Sequence, residues 1–163
     1  MFLKEFEFDK FPKNITYFDN EALKLNNEFL FFHNKSKFRR ELTRLQNLIK
    51  SYTNTPLIAS GIQDAYLKKQ YTEKYLIVLF TTSENVKEIN TIMEVHSDIE
   101  LNPGCVFLET NSEYLLLLAR DMEGLILGVN IMELILKQIL EDYLNQKKFD
   151  EYITIRPFKL IDC

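Results

Sequence analysis

From Glu113 to Leu140 the chain reads EYLLLLARDMEGLILGVNIMELILKQIL, and few architectures can hold such a stretch. Tyr114 to Ala119 is an apolar run short enough for a strand. Arg120-Asp121 makes a tight acidic break, and a long helix follows, opened by Gly124 and Gly128. Nearly every other position around that helix is apolar, so most of its circumference must be covered. The helix therefore organises whatever core the chain has. It carries no reactive side chain, so it reads as scaffold.

A chain of 163 residues is expected to form one domain, 1–163, burying roughly two-thirds of the surface its unfolded form exposes. Its 46% hydrophobic and 27% charged residues place it among ordinary soluble globular proteins. With only 4 Gly and 4 Pro there is little room for irregular linkers. A net charge of −4 argues against a general attraction to nucleic-acid phosphates. Lys35, Lys37, Arg39 and Arg40 cluster locally, which reads as a solvated helix start rather than a binding patch. The first residues, MFLKEFEFDKF, alternate apolar and charged types without the continuous apolar core of a signal peptide, so a cytoplasmic location is expected. Cys105 and Cys163 fit no metal or redox spacing, and a disulfide between them stays open.

The first third predicts short strands at Phe2 to Phe8, Ile15 to Phe18, Ala22 to Leu25 and Glu28 to His33, with Asp19-Asn20 as a turn. Ser36 is the expected cap of a helix to about Ile49. Phe38, Leu42, Leu45 and Ile49 share one face of it, opposite Arg40, Arg44, Asn47 and Lys50. Leu57 to Ala59 and Tyr75 to Phe80 read as strands. Thr81 and Glu84 have capping-box spacing, opening a helix through Val86, Ile89 and Met93. After the turn Asn102-Pro103-Gly104, a hairpin pairs Cys105 to Leu108 with Tyr114 to Ala119 around Asn111-Ser112, and Glu151 to Ile155 forms a closing strand. The fold class expected is α+β: a mixed, largely antiparallel sheet with two main helices packed on one face.

Candidate chemistry is sparse. His33 and His96 are the only histidines, and neither has a second ligand at helical or hairpin spacing, so no metal site is predicted. His33, at the end of an apolar strand, reads as a satisfied structural histidine. Glu94, His96, Asp98 and Glu100 alternate as a solvated loop would. No nucleophile elbow, phosphate loop or dinucleotide fingerprint occurs, so neither catalytic nor cofactor-binding residues are assigned. Asp150-Glu151 is an adjacent acidic pair between a Lys-rich helix end and a strand, where charged residues usually face water. Gly124 and Gly128 have the spacing of a membrane-helix pairing motif. Asn130, Glu133, Lys137 and Glu141, however, place a polar stripe along the helix that lipid would not accept. Glu133 and Lys137 are spaced as a surface ion pair. The glycines are thus structural: they let the helix start approach a neighbouring backbone closely.

The run from Ala119 to Gln138, Ala-Arg-Asp followed by Gly124-Leu125, Gly128 and a helix bearing Gln138, resembles the N-terminal accessory domain of glycoside hydrolase family 20 β-N-acetylhexosaminidases. Ile131-Met132 stands where that family has Thr-Leu. Ile155 to Asp162 resembles the family's short approach to its catalytic barrel, and Phe11-Pro12-Lys13-Asn14-Ile15 its opening segment. Related accessory domains precede other barrel glycosidases, including the family 84 and α-glucuronidase types. In each case the resemblance implies a non-catalytic domain that packs on a (β/α)8 barrel of the same polypeptide, the chain stopping before that barrel begins. Carbohydrate would be met only through the barrel. In that family the substrate's own 2-acetamido group is the nucleophile, oriented by an Asp beside a Glu general acid. Those two residues lie on barrel strands, and Asp150-Glu151 does not match their context.

Two other readings compete. One is a stand-alone interaction or ligand-binding module acting as a homodimer. The other is a small enzyme whose site gathers His96, Asp98 and Cys105 from distant positions. Neither implies a cofactor, a nucleic acid or a membrane.

Overall fold

The computed structural model describes residues 5–26, 28–35, 38–54, 57–62, 67, 75–82, 89–144 and 153–163. Within them the fold is α+β, built on a seven-stranded sheet of mixed but largely antiparallel pairing. In chain order the strands are β1 (Asn14–Tyr17), β2 (Leu23–Leu25), β3 (Phe29–His33), β4 (Ile58–Gly61), β5 (Leu76–Thr82), β6 (Val106–Thr110), β7 (Tyr114–Ala119), β8 (Ile153–Ile155) and β9 (Phe158–Asp162). The helices are α1 (Arg39–Thr53), α2 (Ile89–Val95) and α3 (Met122–Leu144). The main sheet has the order β1-β9-β6-β7-β5-β3-β4, and β2 pairs with β8 in a separate ribbon.

Burial explains why the central strands read as unbroken apolar runs. Leu76 to Thr81 of β5 and all of β7 are buried, because both faces of the sheet are covered at its centre. Leu76, Val78 and Phe80 of β5 face the same core as Leu115, Leu117 and Ala119 of β7, beneath α1 and α3. Ile77, Leu79, Leu116 and Leu118 face the other side, where Ile89, Ile92 and Met93 of α2 cover them. The two main helices thus lie on one face, as their amphipathic spacing predicts, and the short α2 lies on the other. Toward the edge, coverage falls to one face. Phe158 and Leu160 of β9 are buried under the helices, while Lys159 and Ile161 point outward and are exposed.

The connection β3-α1-β4 returns to a parallel partner, which needs a crossover of this length. Both β3 and β7 run antiparallel to β5, so α1 and α3 start from the same end of the sheet. Arg44 of α1 reaches across to Glu133 (3.0 Å) and Asn130 (3.1 Å) of α3. Both partners of the ion pair are exposed enough that it adds at most about 1 kcal/mol. The spacing-based pairing of Glu133 with Lys137 therefore misses the partner of Glu133, which lies on the neighbouring helix.

Other boundaries also move. Phe38, not Ser36, stands at the N-cap of α1 and makes no side-chain cap bond; Ser36 lies outside the described residues. The helix runs four residues past Ile49, to Thr53, and the left-handed backbone of Asn54 (φ 64°) ends it, its N–H donating to the Lys50 carbonyl. Thr81 does not cap a helix. It is buried in β5, and its hydroxyl donates to the Glu113 carbonyl at 3.2 Å. Glu84, Val86 and Asp150-Glu151 fall outside the described residues, as does the predicted strand's start at Phe2. The segment read as an approach to another domain is itself a strand: β9 sits between β1 and β6.

The N-terminal segment lies over α3. Phe6 packs edge-on to Phe158 (5.4 Å between ring centres) and against Tyr17, whose hydroxyl accepts from the Phe6 N–H at 3.0 Å. The Gln138 side chain accepts from the Glu7 N–H (2.8 Å) and donates to the Glu7 carbonyl (2.7 Å), as a strand neighbour would.

Candidate functional site

The two glycines singled out in the sequence occupy the tightest seat in the structure. A Cβ on Gly124 would stand 2.3 Å from the Cys105 carbonyl oxygen, and one on Gly128 would meet Val106 Cγ2 at 2.6 Å and Leu117 Cδ1 at 2.8 Å. Only glycine lets α3 lie this close to the start of β6. Asp121 fixes the approach. Its Oδ1 accepts from the Gly124 N–H at 2.8 Å, a side-chain cap of the helix start. The same carboxylate accepts from the Gly104 N–H through both oxygens (3.1 and 3.0 Å). Gly104 has φ +81°, a conformation suited to glycine, and the turn closes with Cys105 N–H donating to the Asn102 carbonyl.

That corner also contains the two cysteines, joined as a disulfide. Val106 lies opposite Asp162 in the β6–β9 pairing, so Cys105 and Cys163 occupy the next cross-strand position. Their 58-residue separation hid this from a spacing argument, because it depends on β9 being a strand. A disulfide-bonded Cys105 has no thiolate to offer, and Asp98 is exposed, so the enzyme reading built on His96, Asp98 and Cys105 fails.

Among the described residues one ionisable cluster is buried, and sequence alone did not reveal it. His96 is not a loop residue in water; it is 5% exposed. Its Nδ1 donates to the Ile92 carbonyl at 2.5 Å, and its Nε2 bonds to Glu109 Oε2. The ring lies against Phe107 and Tyr114, with centre separations of 5.7 and 6.2 Å. Glu109 projects from β6 on the α2 face. Its Oε2 also accepts from the Tyr114 hydroxyl at 3.5 Å, and its Oε1 lies 3.7 Å from Lys159 Nζ. The available signal was helical spacing: Ile89, Ile92, Met93 and His96 fall at i, i+3, i+4 and i+7, which puts His96 on the buried stripe. Glu94, Asp98 and Glu100 are exposed as predicted.

The proton of this pair resides on the imidazole. A carbonyl and an ionised carboxylate only accept, so both ring nitrogens carry hydrogen. Burial works to lower the His96 pKa, but the hydrogen bonds to Glu109 and Ile92, with the Glu109 charge, outweigh it and hold it above 6.5. For Glu109, burial works upward and is outweighed by the His96 hydrogen bond, the His96 charge and Lys159, leaving its pKa below 4.5. Tyr114 is driven upward by burial and by the Glu109 charge, so its hydroxyl stays protonated and donates. With both imidazole nitrogens engaged and the side chain 3% exposed, His96 offers no base to a substrate. The cluster holds structure together.

His33 is the other buried histidine. Its ring rests near Phe31, and Nδ1 has no partner among the described residues, so it is structural but not satisfied. Burial, aided by Arg39, lowers its pKa. Among the described residues, no group of three or more His, Cys, Asp or Glu side chains could hold a metal ion. Among them, too, no helix is long and apolar enough to cross a membrane. The sequence matches no family model and no curated protein.

Proposed function

We infer that this chain is a non-catalytic accessory domain of the kind that precedes the barrel of family 20 β-N-acetylhexosaminidase-like glycoside hydrolases. Its role is to support that barrel during carbohydrate hydrolysis. The supporting observation is the seat of α3: a strand ending at Ala119, a capping Asp121, and Gly124 and Gly128 against β6 and β7. These are the positions on which the resemblance rests, and here they perform packing rather than chemistry. The sealed His96–Glu109 pair agrees with a domain that leaves catalysis to another part of the protein. The test is the coding sequence past Cys163. The reading expects a Pro-aromatic-Arg-Gly continuation and a further polypeptide of about 250 residues or more, the usual scale of a (β/α)8 barrel. A stop codon directly after Cys163 overturns it.

A homodimeric interaction module is the reading favoured by Ile58, which is 65% exposed on β4 at the edge of the described sheet. Sedimentation of the purified chain separates the two: a tight dimer in which Ile58 is protected supports the module, and a monomer at micromolar concentration removes it.

A further inference from the structure

His96 ties the end of α2 to the sheet through its side chain. The helix α2 lies on the sheet through Ile89, Ile92 and Met93, and His96 follows it by one residue. From that position the ring bonds back to its own helix, at the Ile92 carbonyl, and forward to the sheet, at Glu109. The turn that follows is held separately, by Tyr75 hydroxyl donating to the Ile99 carbonyl (2.8 Å) and Arg120 to the Leu101 carbonyl (3.4 Å). We propose that His96 is a pH-operated latch: as the imidazolium it pins the end of α2 to the sheet, and loss of its proton frees that end while the rest of the fold stays closed.

The asymmetry of the cluster gives the latch its direction. A neutral imidazole carries one hydrogen, so either the Ile92 carbonyl or the Glu109 carboxylate loses its donor in a buried place. Glu109 has other support from the sheet: Tyr114 on β7 and Lys159 on β9, the latter with its side chain 53% exposed. With Glu109 so supported, the neutral ring keeps its one hydrogen on Nδ1 for the Ile92 carbonyl of its own helix, and the bond to the sheet is the one lost. Among the described residues the titratable or charged groups facing the ring are Glu109 from β6, Tyr114 from β7 and Lys159 from β9. Glu94 and Asp98, on its own segment, are exposed.

The sign follows from the proton count. An opened α2 leaves His96 near its ordinary 6.5, and the closed state binds the proton more tightly. The latch is complete below pH 6.5, weakens as pH rises, and is gone above the closed-state midpoint. Glu109 stays ionised throughout that interval and adds no slope.

The experiment is amide hydrogen exchange between pH 5.5 and 9.5, corrected for the intrinsic rate, with the His96 ring titrated by NMR in the same samples. Protection at His96, Ser97 and Ile99, whose N–H groups bond to Met93, Glu94 and His96, is expected to fall about tenfold per pH unit from 6.5 to the His96 midpoint and then level. Amides of β5, β7 and α3 keep their protection. Lys159→Met removes a neighbouring cation, so it raises both the midpoint and the pH of release. Glu109→Gln removes the slope or reverses it, because burial and the Lys159 charge are then opposed only by hydrogen bonds that carry no counter-charge. The proposal is overturned if protection at those three amides is flat through the His96 midpoint, if α3 loses protection in parallel, or if Lys159→Met moves one readout without the other. The Lys159 variant keeps the test open should Glu109→Gln not fold.

Discussion

Replacing Gly124 with alanine tests the seat of α3 most directly, because two effects of known sign oppose each other there. In an unhindered helix interior Gly→Ala stabilises by about 1 kcal/mol. Here the new Cβ would lie 2.3 Å from the Cys105 carbonyl oxygen, a backbone atom that cannot rotate aside, and 3.2 Å from Asp121 Oδ1. Relief requires the helix start to back away by about an ångström, at the cost of about 1–3 kcal/mol typical of overpacking. The same retreat stretches the Asp121 cap, worth about 1 kcal/mol. The net expectation is a loss of about 2 kcal/mol, or a melting temperature about 4–8 °C lower for a chain of this size. Gly128→Ala meets side-chain methyls at 2.6 and 2.8 Å, which can shift a little, so its loss is smaller. Gly61→Ala has no atom within 4 Å and is the neutral control. Urea and thermal unfolding of the three variants, all with the disulfide intact, give the ranking. A Gly124→Ala protein as stable as the parent would refute the reasoning. So would additive losses on combination with Asp121→Ala, since residues sharing one cap must couple.

Three further outcomes are expected. His33 is buried with a lowered pKa, so its contribution is full above pH 6.5 and fades as pH falls below it, the unfolded chain then binding the proton more readily. His33→Phe should gain on the parent as pH drops from 7.5 to 5; an advantage that stays constant or shrinks contradicts this. Reducing Cys105–Cys163 opens a loop of 58 residues and should cost about 4 kcal/mol on the chain-entropy estimate. Denaturant melts with and without dithiothreitol measure that cost, and a positive thiol assay on the unfolded, unreduced chain would deny the bond. Gln138→Ala removes both bonds to Glu7 and should open the N-terminal segment to protease, with a global loss of about 1 kcal/mol; unchanged cleavage there would show that Phe6 alone anchors it.

What could be read from sequence was whatever local periodicity controls. The stripe Phe38, Leu42, Leu45, Ile49, the hairpin around Asn111-Ser112 and the α3 helix all follow from spacing, and α3's glycines disclosed its close approach. Failures arose where a residue's role is set by a distant partner. Thr81 looked like a cap because Glu84 stands three residues on, yet the strand β5 continues through it and its hydroxyl serves Glu113. His96 looked solvated among acidic neighbours, although its helical register with Ile89 and Ile92 held the contrary clue. Glu109 could not be paired with it by any rule of spacing, since 13 residues and a turn separate them. β9 was passed over because Phe158 to Asp162 alternates only on one face, the mark of a strand covered from a single side.

The pairing of β1 with β9 sets Asn14 opposite Ile161, so the first strand of the sheet finds its neighbour only in the last. During synthesis, β1 must wait, unpaired, until β9, more than 140 residues later, has left the ribosome. Such distant closure favours a slow, late folding step. In the interval the nascent N-terminal segment carries Phe6 and Phe8 without their shelter, and chaperones would find their binding sites there.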